Sequence, residues 1–355
     1  MLKVLHCIHS LSNGGAERQL CLLANASGEA RMQATLFCVD ASGHSVTDKS
    51  VAIKVLSDND KYPYRMREEL MAVVEEFDPD VIHTWLPAPM NVAVLSVAAK
   101  YGVPAVASYR NRRNFDSWQR IPDFMAMAIW ADKIISNNPV SQSSFLYRHL
   151  FRHKDGIEIA NAVSVNTNLD RKSIVKPEEK RFIFVGRLTH QKNWQTMINA
   201  FSKLSADQSW KLIICGDGED RKKLESLILA LELENNVEIK GFCETVYQEI
   251  IDSDFLMLPS WYEGMPNVVL EAMALGVPCG VSLIPAHKSL FDSSVVEFFD
   301  PGSEDQMLKV ITKVISGDID LIEQSKKVLD FSEKFTPKIM AKNYLSEYEK
   351  LIDNK

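Results

Sequence analysis

Short apolar runs alternate along this chain with stretches whose apolar positions recur every three or four residues. In the first half, the runs at 3–9, 34–39, 51–55, 81–84, 104–108, 133–136 and 157–159 read as strands. Between them, 15–26, 65–77, 90–101, 122–131 and 140–151 carry helical spacing. Such alternation predicts a parallel sheet with helices on both faces. The pattern lapses in a polar stretch that begins at 161 and contains Pro177 and a cluster of charges. It restarts with strands at 181–185, 210–215, 237–239, 255–258 and 278–281, and ends in a mostly helical tail from 305 to 355. The expectation is an α/β chain of two doubly wound domains, 1–165 and 181–335, joined by a linker at 166–180. Two such domains imply a cleft between them. Ligands of open parallel sheets bind beyond the carboxyl ends of strands, so residues that carry chemistry should lie directly after strands.

A length of 355 residues suits two domains. The net charge of -7 argues against a dedicated nucleic-acid binder, which would carry a basic excess. No apolar run is long enough to span a bilayer, and the first residues are too short and strand-like for a signal peptide. The six cysteines are scattered without a CxxC pair and read as buried thiols of a reducing compartment. A cytoplasmic protein, able to touch a membrane face, is the expectation.

The post-strand segments are then the places to look. Glu263 and Glu271 bracket a Gly264–Pro266 turn and the start of a helix, with Pro266 expected at the first helical position. A helix start offers free N–H groups and a positive dipole end, so Asn267 and Val268 can take a phosphate. Glu271, in the second helical turn, can accept from ribose hydroxyls, and Glu263 from sugar hydroxyls. After the strand at 181–185, Gly186 frees a turn that presents the forked donors of Arg187 and the point charge of Lys192. That pair suits a diphosphate whose leaving charge needs stabilising. His190 between them reads as solvent-facing. Gly216 and Gly218 permit another close backbone approach, although a plain loop accounts for them equally. Phe242, after Gly241, fits either a flat base or ordinary packing. In the first half, Gly14 and Gly15 follow a strand and open a helix with Glu17 in its first turn. Tyr109, Arg110, Asn111, Arg112 and Arg113 form a donor-rich post-strand loop. A basic amphipathic stretch at 143–154 can dock on anionic lipid or pack as an ordinary helix. Four Asp-x-Asp matches lie before strands or in polar turns, and no HExxH or His/Cys cluster occurs, so no metal is expected.

Together, GGAER at 14–18, VGRLTHQKN at 185–193, GDGED at 216–220 and EGMPNVVLEAMALGVP at 263–278 resemble the retaining glycosyltransferases of family 4, with the GT-B fold. The last segment is similar to that family's E-x7-E signature. The resemblance implies two Rossmann-like domains facing a central cleft, with a C-terminal helix at 336–355 crossing back to the first domain. It implies a nucleotide-sugar co-substrate, often a UDP-sugar, and no metal or other cofactor. Carried over, Arg187 and Lys192 would bind the donor diphosphate, Glu271 the ribose, Glu263 the transferred sugar, and Gly15 the donor phosphates or sugar. Many members carry a histidine after the strand that here ends at Ser108; this chain has Tyr109, Arg110 and Asn111. That is similar to a Ser-x-Arg-Asn variant of enzymes that build lipid-linked oligosaccharides and surface polysaccharides. It implies Arg110 in catalysis, with His83 as the other candidate. The expected activity is sugar transfer to a lipid-linked glycan. A nucleotide-sugar isomerase and a non-catalytic nucleotide-binding subunit are the alternatives.

Overall fold

A computed structural model describes residues 1–11, 14–56, 64–85, 90–110, 121–137, 155–165, 179–205, 208–243 and 246–353. The linker expected at 166–180 lies almost wholly outside the described residues, as do the loop from Asn111 to Arg113 and the basic stretch at 143–154. The chain divides into two compact units. One comprises Met1–Ala162 with Phe335–Lys355, the other Val163–Lys334.

The first unit is built on β1 (Leu2–Cys7), β2 (Met32–Cys38), β3 (Ala52–Val55), β4 (Val81–Thr84), β5 (Ala105–Tyr109), β6 (Lys133–Ser136) and β7 (Asp155–Glu158). All pair in parallel, in the order β3-β2-β1-β4-β5-β6-β7. Its helices are α1 (Gly15–Ala26), α2 (Tyr64–Phe77), α3 (Met90–Tyr101) and α4 (Ile121–Trp130). The central strands are covered on both faces, with every residue of β4 and β5 buried, the polar His83, Thr84 and Ser108 included.

The second unit holds β8 (Lys180–Val185), β9 (Trp210–Cys215), β10 (Val237–Gly241), β11 (Phe255–Leu258), β12 (Cys279–Ser282) and β13 (Val296–Phe299). Their order is β10-β9-β8-β11-β12-β13, again all parallel. The helices are α5 (Trp194–Ser202), α6 (Arg221–Ala230), α7 (Val246–Ile251), α8 (Asn267–Ala274), α9 (Pro285–Lys288), α10 (Glu304–Ser316) and α11 (Leu321–Ser332). Helix α12 (Pro337–Asp353) belongs to the first unit, where it packs on α1 and buries Tyr344 and Tyr348 completely.

Two local expectations change. Pro266 caps α8 instead of opening it, with ψ of 79°. The Asn267 N–H donates to Met265 O at 3.0 Å, a tight turn that holds Pro266 out of helical geometry. The edge strand β13 and the single-turn α9 add to the strands read from the pattern. Both are four residues long, and β13 is half-buried at the sheet edge, so its apolar signal is short and incomplete.

Candidate functional site

In each sheet the strand order reverses once. In the second unit it reverses between β8 and β11, whose connections leave in opposite directions and open a crevice at their carboxyl ends. The loops after these two strands carry Gly186, Arg187 and Lys192 on one side and Glu263 and Gly264 on the other.

The first loop is held from beneath by backbone bonds. Gly186 N–H donates to Cys215 O at 3.0 Å, and Gly216 N–H donates to Gly241 O at 2.6 Å. Leu188 N–H reaches Asp217 O at 2.9 Å, and Asp220 N–H returns to Leu188 O at 3.0 Å. Three strand ends are thus laced together, and glycines stand where backbones meet. The chain then makes a 3-10 turn, His190–Lys192, ended by Asn193 in the left-handed region at φ 51°. Asn193 is fixed there because its side-chain amide donates to Pro259 O at 3.0 Å and Pro301 O at 2.6 Å. Gln191 ties the turn to the second loop: its backbone carbonyl accepts from Trp261 N–H, and its side chain donates to Tyr262 O, both at 2.9 Å.

These restraints bring Lys192 Nζ to 2.6 Å from Glu263 Oε1. Ser260 Oγ donates to the same oxygen at 2.6 Å. Behind it, Ser282 Oγ donates to Ser260 O at 2.6 Å, and His287 Nδ1 lies 2.8 Å from Ser282 O. His287 is fully buried, and burial lowers its pKa to about 4. The ring is therefore neutral, with its proton on Nδ1 facing the carbonyl. The sequence reading missed this Ser260–Ser282–His287 support. Ser260 was visible as a hydroxyl between β11 and Glu263, but the other two lie on a neighbouring strand and the helix after it. Arg187 is exposed and makes no ion pair with another described residue. Glu271 sits in the second turn of α8 and is 8% exposed. Of the two amides proposed for a phosphate, Asn267 N–H is bonded to Met265 O, while Val268 N–H has no backbone acceptor among the described residues. Phe242 follows β10 and is 76% exposed, so it is not a core packing residue. His190 is exposed, with its ring stacked near Trp261. This arrangement offers an ammonium, a guanidinium and a helix N-terminus for negative charge, and two carboxylates for hydroxyls. Among the described residues no group of His, Cys, Asp or Glu could hold a metal ion.

In the first unit, Gly14 caps α1, Gly15 opens the helix, and the Glu17 carboxylate folds back over Gly14. Arg110 follows β5 and is 8% exposed. It donates to Asn161 Oδ1 at 2.9 Å and Tyr344 Oη at 2.8 Å, and lies over the Trp85 ring at 4.3 Å. Its Nε has no partner, and no carboxylate lies within ion-pair distance among the described residues. His83 lies within β4, fully buried, between Tyr348 Oη at 2.6 Å and Ser108 Oγ at 2.9 Å. Burial first, then the neighbouring His6 and Arg110, push its pKa down. His6, which accepts from Trp85 Nε1–H at 3.0 Å, is lowered by burial to about 3.

These buried neutral rings make stability depend on pH. Unfolded histidines titrate near ~6.5, so below that value the unfolded chain binds protons that His6 and His287 refuse. Stability is complete above about pH 6.5 and falls as the pH drops towards the folded values. By pH 5 the loss should reach about 2 kcal/mol per ring. Urea unfolding at pH 7.5, 6 and 5 checks this; an unchanged midpoint would refute the burial argument.

Comparison with known proteins follows the same division. The family model described as "Glycosyl transferases group 1" matches residues 165–331. The model described as "Glycosyltransferase Family 4" matches 13–157. A lipopolysaccharide 1,6-galactosyltransferase of Salmonella typhimurium is 30% identical over 173 residues, covering 45% of this chain and 46% of the relative. The N-acetylgalactosamine-N,N'-diacetylbacillosaminyl-diphospho-undecaprenol 4-alpha-N-acetylgalactosaminyltransferase of Campylobacter jejuni is 29% identical over 190 residues, covering 52% and 49%. The chain thus spans about half the length of these curated relatives, and 38%, 24% and 57% of three others. Among solved structures, Anabaena HepE in complex with UDP superposes with a TM-score of 0.80 over 99% of this chain and 100% of its own, at 16% identity.

Proposed function

This chain belongs to the group 1 and family 4 glycosyltransferases, with the GT-B fold, and from that premise we propose that it moves a sugar from a nucleotide-sugar to a lipid-linked glycan. The observation that carries the reading is the Lys192–Glu263 pair at the reversal between β8 and β11. A cation and a carboxylate there serve the two halves of one donor. Lys192, with Arg187, takes the diphosphate and stabilises the charge that grows on it as the glycosidic bond breaks. Glu263, released from Lys192 and steadied by Ser260, takes hydroxyls of the transferred sugar. Glu271 takes the ribose, Gly186, Gly216 and Gly264 let the backbone come close, the Val268 amide takes a phosphate oxygen, and Phe242 covers the base. Attack comes from the face that the leaving phosphate vacates, the phosphate accepts the acceptor's proton, and anomeric configuration is retained without a metal. Arg110 acts on the acceptor side as an anion-binding cation, while Gly14 and Gly15, in the segment between β1 and α1, keep the donor-contacting role carried over from the family.

UDP as the nucleotide is supported by HepE, solved with UDP, and a lipid-diphosphate acceptor by the Campylobacter enzyme's named substrate. The site of action is the cytoplasmic face of a membrane. No described helix is long and apolar enough to cross a bilayer. Helix α4 nevertheless exposes Ile121, Met125 and Ile129, spaced on one face, an apolar row suited to lying on lipid.

One experiment tests the whole reading. UDP release is followed from a panel of UDP-sugars, with and without undecaprenyl-diphosphate saccharides in anionic vesicles, and the product anomer is read by NMR. Release that requires the acceptor and retains configuration is expected. A sugar epimerised without acceptor would make the protein an isomerase, and no donor turnover at all would make it a non-catalytic subunit.

A further inference from the structure

The turn that carries Lys192 has a second side. There, a pocket of about 470 Å³ opens between the start of α5, the start of α6 and the loop after β11. Trp194, almost fully buried, anchors its lining, and Trp261, 37% exposed, contributes an indole. The imidazole of His190 lies nearly parallel to that indole, 16° apart in plane with ring centres separated by 6.4 Å. Around these rings stand the polar groups Gln195, Glu219 and Lys223.

The geometry points to a binding site for a neutral pyranose. A sugar ring presents one apolar face of C–H groups and a rim of hydroxyls. An exposed indole matches the first, since its large flat surface remains accessible to water. A carboxylate and an amide beside it match the second, because each can bond hydroxyls at fixed positions. The volume falls within the ~300–1,000 Å³ of small-molecule sites. The charges favour a neutral ligand over a second nucleotide. Lys223 is held by Asp220 at 2.7 Å and also feels the Glu219 carboxylate, so two carboxylates face one ammonium in the lining and phosphate is disfavoured there.

The pocket is joined to the candidate donor site by covalent neighbours. His190 shares its turn with Lys192, Trp261 lies two residues before Glu263, and Gln191 bonds the two loops to each other. A ring seated on Trp261 would therefore rest on the same two loops that carry Lys192 and Glu263. That this ring belongs to the glycan being extended rests on the proposed transfer reaction; the binding itself does not.

Saturation-transfer NMR on the full chain tests it, with methyl α-glucopyranoside, methyl β-galactopyranoside and N-acetylglucosamine as probes, alongside a separate UDP titration. At least one pyranose should bind, and Trp261→Ala and Glu219→Gln should each weaken it at least tenfold while changing UDP affinity less than twofold. Glu219→Gln guards against a folding defect in the tryptophan variant, and thermal melts check both. Absence of binding by every probe, or undiminished binding in both folded variants, overturns the site. If UDP fails to bind while a pyranose does, the nucleotide-sugar reading falls and this inference stands; the reverse result sinks the pocket alone.

Discussion

Lys192→Ala should lower kcat/KM for sugar transfer by about 100- to 1,000-fold, the loss seen when one preorganised group facing a developing anion is removed. The mainstay of the expectation is position. The 3-10 turn, Asn193 in its left-handed conformation and the Gln191 bonds fix the backbone that carries the ammonium, so giving up its bond to Glu263 is the main rearrangement needed for it to meet a leaving phosphate. The same substitution has a separate effect on folding. Lys192 and Glu263 side chains are 15% and 9% exposed, and removing the cation leaves a mostly buried carboxylate that, among the described residues, keeps the Ser260 hydroxyl as its side-chain donor. Breaking a fully buried pair costs roughly 3–5 kcal/mol; partial exposure and the Ser260 bond should hold this one nearer 1–2 kcal/mol. A second variant separates the two effects. Lys192→Ala combined with Glu263→Gln removes the stranded charge, so the melting temperature should recover while turnover remains lost. Single-turnover kinetics and thermal melts on the three proteins decide the matter. Turnover within threefold of wild type in the single variant would end the diphosphate role.

How much of this was legible before the structure depends on where each residue's partners lie. Strands such as β4, β6, β9 and β11 match the expected spans because each is built around a short run of buried apolar residues: Val81–Ile82, Ile134–Ile135, Leu212–Ile214 and Phe255–Leu258. Lys192 and Glu263 could be singled out because each follows a strand, and the strand ends of a doubly wound sheet are where ligands go. That the two side chains meet could not be read, since 71 residues separate them. The Ser282–His287 support was hidden for the same reason: it acts through a carbonyl 22 residues away, and backbone carbonyls leave no mark in sequence. Arg110 was visible as a post-strand cation. Its bond to Tyr344 spans 234 residues and depends on α12 lying in the first unit.

The glycines of the candidate donor site should differ sharply from one another when replaced by alanine, and Gly216→Ala should be the most damaging. Gly216 has φ of +147°, a conformation that L side chains rarely adopt. A Cβ there would lie 1.9 Å from Gly186 O. Neither backbone can retreat easily, because Gly186 N–H is bonded to Cys215 O and Gly216 N–H to Gly241 O. Strain and clash together should cost about 3 kcal/mol or more, a fall in melting temperature of roughly 6–12 °C for a unit of this size. Relief of the clash would push Gly186 and the Arg187–Lys192 turn outward, so donor affinity should fall with it. Gly218→Ala, whose Cβ would meet Leu188 O at 2.3 Å, should come next, its backbone at least being free of left-handed strain. Gly186→Ala meets Lys192 Cε at 3.3 Å and Cδ at 3.4 Å, methylene groups of a flexible side chain, and Phe184 Cζ at an ordinary 3.6 Å. It should melt within a few degrees of wild type, yet weaken donor binding, because the added methyl presses on Lys192 itself. Melting curves and UDP titrations across the three variants test the order. A Gly216→Ala protein as stable as Gly186→Ala would show that the laced strand ends yield more readily than their bonds imply.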